Sequence, residues 1–157
     1  MPAVMNPHQT GQERTKERSP VQKVCILVGA ILVMIGLSGV LMPGLLGMHL
    51  SMLHNFAHIL SGSLALWVGF SAPRKAFSYS LIFGGIYCFL GIIGFLYGEP
   101  GYPTVGNMEA DQNLFKVAPN FLELGTMDHI AHLIIGSFLL FTAYTFRKDR
   151  IYRSHKK

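Results

Sequence analysis

The sequence predicts an all-α membrane protein, a bundle of four transmembrane helices made of two tandem helical hairpins. Three observations predict it. Half of the 157 residues are hydrophobic and only 13% are charged, against roughly a quarter charged in an average soluble domain. The charged residues collect in the tails and connections, leaving four apolar runs of about 20 residues, the length that crosses a hydrocarbon core about 30 Å thick. Finally, a polar motif in the second run returns in the fourth: His54-Asn55-x-x-His58 with Gly62, then Asp128-His129-x-x-His132 with Gly136, each matched pair 74 residues apart.

The elements follow in order. Residues 1–20, with Pro2, Pro7, Gly11 and Pro20 among polar and charged neighbours, lack apolar periodicity and are expected to be a disordered tail. The first span covers about 21–42. It exceeds the apolar core of a signal peptide, about 7–15 residues, and no small-residue cleavage pattern follows, so it is expected to remain in place. Pro43-Gly44 ends it. The second span covers about 51–70, opened by Ser51 as a helix-capping residue. Pro73, Arg74 and Lys75 are expected to form a tight turn before the third span, about 77–97. Residues 99–125 form the one long polar connection, with Pro100, Gly101, Pro103, Gly106 and Pro119, and are long enough to make a lid. The fourth span covers about 126–146, where Arg147 and Lys148 stop it, and 147–157 is a basic tail.

Twelve of the thirteen Lys and Arg residues fall on one side of these spans, Lys116 alone on the other. Positive charge marks the cytoplasmic side, so both termini are expected in the cytoplasm and the 99–125 loop outside. The repeat extends to the odd spans: Gly29, Gly36 and Gly39 match Gly84, Gly91 and Gly94 at an offset of 55. Two hairpins entering from the same side make a parallel repeat with a pseudo-two-fold axis along the membrane normal.

At 100° per residue, His54, His58, Ser61, Gly62, Ala65 and Gly69 share one face of the second helix. Asp128, His132, Gly136 and Ala143 share one face of the fourth. Small residues reward close helix approach and polar ones cannot face lipid. Gly29, Gly36, Gly39, Gly62, Gly84, Gly91, Gly94 and Gly136 are therefore packing positions, and His54, His58, Asp128 and His132, with Asn55 and His129 beside them, are expected to form an interior polar cluster. A rise of 1.5 Å per residue puts His58 and His132 about 10 Å into the outer half of the bilayer.

Several functions are compatible with such a cluster. The first is a ligand-free network that ties the second helix to the fourth in a structural, accessory or sensing component. The second is a redox protein. His54, His58, Asp128 and His132 offer three imidazoles and a carboxylate to a divalent metal such as zinc, copper or non-haem iron, and His58 with His132 could instead be the axial ligands of a haem. The third is transport of protons or a small solute, against which the stripe below His58 and His132 shows no relay partner. An enzyme is not expected, because no serine or cysteine has an evident base beside it. Cys25 and Cys88 sit in apolar runs as small hydrophobes. The methionines, copper ligands in principle, read as packing and surface residues. Trp67, Tyr79, Tyr97 and Tyr102 read as interfacial belts. The expected partners are the lipid bilayer, anionic lipid at the basic tails, and a second copy or a larger membrane complex. No basic stripe interleaved with aromatics suggests nucleic acid.

Ser19-Pro20-Val21-Gln22-Lys23, the Gly29/Gly36/Gly39 spacing, His54-Asn55-x-x-His58 with Gly62, and Asp128-x-x-x-His132 with Gly136 together resemble a family. It comprises small bacterial four-span membrane proteins known only as a domain of unknown function. The resemblance covers about residues 19–146 and implies a multi-pass protein of a bacterial plasma membrane, without an activity. This chain departs from the family pattern at His129, where asparagine is expected.

Overall fold

The computed structural model describes residues 17–104 and 108–154; most of the expected N-terminal tail, Gly106 and the last three residues of the basic tail lie outside the described residues. Four helices dominate. Helix α1 runs Pro20–Leu41, α2 Met52–Ser71, α3 Pro73–Tyr97 and α4 Thr126–Ser154. Three of them, α1, α3 and α4 as far as Arg147, are long and apolar enough to cross a membrane. Helix α2 has the length, but its imidazoles, asparagine and serines lower its apolar character.

Each helix starts where local chemistry supplies partners for its free N–H groups. Ser19 and Gln22 form a capping box on α1, with Pro20 in the first turn, where a missing N–H is harmless. The Ser51 hydroxyl accepts from the His54 N–H at 3.3 Å and donates to the Phe121 carbonyl at 2.6 Å, so the cap of α2 also ties it to the distant connection. The Pro73-Arg74-Lys75 turn is corrected: these residues are the first turn of α3, with Pro73 at its start and Ala72 as the junction.

The 99–125 connection, expected to be a loop, holds a small antiparallel sheet. Strand β2 (Asp111–Ala118) pairs with β1 (Glu99–Gly101) on one side and β3 (Leu122–Leu124) on the other. Register puts Lys116 opposite Glu123, with their charged groups 3.7 Å apart. Leu114 and Leu124 are buried from this sheet, and β2 and β3 pack on helices α2, α3 and α4, closing one end of the bundle. Arg18, Lys23, Arg74, Lys75 and Arg147 occupy the opposite end.

Helix α1 packs chiefly on α2, and α3 on α4, through matching backbone approaches. A Cβ added at Gly62 would stand 2.8 Å from the Gly29 carbonyl oxygen, and one at Gly136 would stand 2.8 Å from that of Gly84. A Cβ at Gly36 would meet the Asn55 carbonyl at 2.7 Å, and one at Gly91 the His129 carbonyl at 2.8 Å. The two pairs of helices meet across Cys25 and Ser80, both fully buried, with the thiol 3.4 Å from the hydroxyl. The core is otherwise Val21, Val28, Leu32, Ala65, Val68, Ala76, Tyr87 and Leu139. Phe56, Leu60, Phe70, Ile82, Phe89, Phe141 and other large apolar side chains cover the outside.

Tyr79 is corrected from an interfacial residue to a core one. It is 4% exposed and its hydroxyl donates to the Ser61 carbonyl at 3.0 Å. Trp67 and Tyr97 remain exposed, and Lys75 lies over the Trp67 ring at 4.5 Å.

Candidate metal centre

Spacing along α2 puts His54 and His58 one turn apart on the face toward α4, and His132 faces them from α4. All three are buried, and one ring nitrogen from each lies within 4.8 Å of the other two. Ring centroids are separated by 4.3 Å for His54 and His58, 5.9 Å for His54 and His132, and 6.3 Å for His58 and His132.

The proton of His54 is placed by its surroundings. Its Nδ1 lies 2.9 Å from the His49 carbonyl oxygen, which can only accept, so a neutral ring carries its hydrogen on Nδ1. The lone pair is then on Nε2, which is buried and has no hydrogen-bond partner. A metal-binding histidine is ordinarily oriented in this way, by donating its other N–H to a carbonyl or carboxylate.

Asp128 is held otherwise than a ligand. Its Oδ2 accepts from the Gly125 N–H at 2.8 Å and from the His49 N–H at 2.9 Å. The carboxylate thus organises the turns that precede α2 and α4, and among the described residues the group of converging ligand atoms contains the three histidines and not Asp128. Asn55 and His129 lie at the edge. Asn55 donates to the Leu50 carbonyl at 3.1 Å and its side chain fills the space over Gly39. The His129 Nε2 lies 2.8 Å from the Asn113 carbonyl, and its ring fills the space over Gly94. The two occupy equivalent places, and neither joins the three-histidine group.

Seven buried side-chain atoms among the described residues lack a hydrogen-bond partner: His49 Nδ1, His54 Nε2, Asn55 Oδ1, His58 Nδ1, Asp128 Oδ1, His129 Nδ1 and His132 Nδ1. Native proteins show a few per 100 residues, each with its own cause; here all sit at one end of the bundle. Among the described residues, no hydrogen bond joins the His54, His58 or His132 ring to a side chain of the facing helix.

A feature missed in the sequence supports the far side of the cluster. The Tyr87 ring stacks on His132 with centroids 5.2 Å apart and planes inclined by 24°. The Ser61 hydroxyl spends its proton on the Ala57 carbonyl at 2.7 Å and so accepts from the Tyr87 hydroxyl at 2.9 Å. Tyr79 then donates to the Ser61 carbonyl, so two α3 tyrosines fix this point of α2. The signal was present: at 100° per residue Tyr87 falls within the arc of Gly84, Gly91 and Gly94.

Comparison with models of protein families, with curated proteins and with solved structures finds no match. The chemistry of the site therefore rests on its geometry. Three neutral imidazoles suit zinc, copper, iron or nickel. An ion with bonds of about 2.0–2.1 Å would hold its ligand nitrogens about 3.3 Å apart, so the rings close in on it from their present spacing of up to 4.8 Å. A haem between His58 and His132 does not fit. The His54 ring, 4.3 and 5.9 Å from those two, stands where the macrocycle would lie.

Around the mouth of the site, Asp111 joins β2 to the start of α4. Its carboxylate accepts from the Thr126 hydroxyl at 2.6 Å, the Thr126 N–H at 3.0 Å and the Asn113 N–H at 2.8 Å, and lies 3.7 Å from His49 Nε2. Burial alone would raise its pKa, but these hydrogen bonds and the nearby imidazole outweigh burial and hold it below the usual carboxylate value. Glu123 behaves alike: burial raises its pKa, and the Thr104 and Asn120 N–H groups and Lys116 lower it by more.

Proposed function

We propose that this chain is a four-span membrane protein of two tandem hairpins that holds one transition-metal ion on His54, His58 and His132, in the half of the bilayer closed by the small sheet. Its resemblance to the small bacterial four-span family belongs to the same reading, as do a plasma-membrane location and cytoplasmic termini. The observation that carries it is the convergence of three buried imidazoles, one of them locked by a carbonyl with its lone pair inward and unpartnered. Leaving a buried acceptor unpaired costs about 1–3 kcal/mol; a metal bond would use it. The matched glycine contacts within each hairpin support the duplicated architecture.

In this reading Asp128, Asn55 and His129 are supports, and the protein is a metal-holding accessory, sensor or redox component rather than a hydrolase. Elemental analysis of detergent-purified chain after exposure to metal is the test. About one ion per chain, lost in His58→Ala and in His132→Ala, is the expected outcome. Metal content unchanged by either substitution refutes the assignment.

A further inference from the structure

Resting on the metal reading above, we propose that the ion is monovalent copper, Cu(I), and that it reaches the histidines past methionine thioethers at the sheet end. The first ground is charge. Val24–Ser71 and Ala76–Tyr97 contain no Asp, Glu, Lys or Arg, and Asp128 is the only such residue between Thr126 and Phe146. The three ligands are uncharged imidazoles. The Born penalty of placing an ion in a low-dielectric interior grows with the square of its charge, so a dication faces about four times that of a monocation of equal radius. Within the spans one aspartate, one turn before His132, balances one positive charge, and the other two carboxylates at this end, Asp111 and Glu123, already face His49 and Lys116.

The second ground is the arrangement of sulfur. Met48 is 4% exposed and directly precedes His49, whose carbonyl orients His54. Met108 packs against Gly44, with its sulfur 3.6 Å from where a Cβ would stand, and Met127 packs against Gly47. Met42 and Met52, 61% and 89% exposed, flank the same turn. Five thioethers therefore lie in or against the turn between α1 and α2, whose His49 carbonyl orients His54. Thioether sulfur is soft and uncharged, and suits Cu(I).

Preference for Cu(II) over zinc would not distinguish this, since nitrogen sites favour Cu(II) generally. The experiment uses the full chain in detergent under anaerobic conditions. Cu(I) is supplied from a coloured Cu(I)–chelator complex, and zinc is titrated separately against a zinc-binding dye. Expected are one Cu(I) per chain, affinity for Cu(I) at least about 100-fold above that for zinc, a difference of about 2.7 kcal/mol, and loss of Cu(I) uptake in His58→Gln with helix content retained. The double variant Met108→Leu, Met127→Leu is expected to keep the equilibrium affinity and to slow transfer from the chelator several-fold. Zinc bound as tightly as Cu(I) overturns the copper assignment and leaves the metal site standing. Transfer unaffected in the methionine variant overturns the thioether route. Failure to bind either ion overturns the metal site itself.

Discussion

Substituting alanine at Gly136 tests the close helix packing that positions the histidines. The added Cβ would stand 2.6 Å from the Cys88 backbone nitrogen, 2.7 Å from its sulfur and 2.8 Å from the Gly84 carbonyl oxygen. Favourable carbon contacts begin near 3.5 Å, so α3 and α4 must separate by several tenths of an ångström. Two of the three obstructing atoms are backbone, and no side-chain rotation relieves them. Overpacking of this kind costs about 1–3 kcal/mol. Gly85, also on α3, is the control: an added Cβ meets nothing within 4 Å, and alanine there gains up to about 1 kcal/mol in helix propensity. The two variants should therefore differ by about 2–4 kcal/mol in denaturant unfolding from mixed micelles, and Gly62→Ala should match Gly136→Ala. If Gly136→Ala and Gly85→Ala are equally stable to within about 0.5 kcal/mol, the helix backbones do not meet as described.

Further outcomes follow from individual contacts. Asp128→Ala leaves the Gly125 and His49 N–H groups unpartnered, at about 1–3 kcal/mol each, and should lower the unfolding midpoint in detergent more than Asn55→Ala does. Tyr87→Phe removes the hydroxyl that Ser61 accepts, at about 1 kcal/mol, while keeping the ring on His132; metal affinity should survive it and fall in Tyr87→Ala. The Asp111 carboxyl has a lowered pKa in the fold, so its contribution is fully present above the ordinary value of about 4 and is lost as pH falls below it. Midpoints measured from pH 7 to pH 3 should drop below pH 4, and the drop should shrink in Asp111→Asn.

The sequence made the helices legible because apolar runs of membrane-spanning length and glycine spacing survive any folding context. It also made most of the candidate cluster legible. His54 and His58 share a face by the 3.6-residue period alone, and the 74-residue offset pointed to His132 as their partner. Asp128 shows the limit: periodicity put it on the same face, but the two N–H groups that hold it come from Gly125 and His49, a contact across 79 positions that no local pattern reports. The sheet was hidden for a similar reason. Asp111–Ala118 mixes polar and apolar residues without clean alternation, and its strands are fixed by Asp111 on Thr126, Lys116 opposite Glu123 and Leu114 against the helices. Tyr79 was misplaced because an aromatic near a basic turn resembles a membrane-interface anchor, whereas its hydroxyl had a carbonyl within reach in the core.

X-ray absorption at the edge of the bound metal tests the central claim most directly. Three nitrogen scatterers at about 2 Å, carrying the outer-shell pattern of imidazole and falling to two in His54→Ala, are the predicted result. A first shell with one imidazole or none, or one unchanged by His54→Ala, would contradict the three-histidine site.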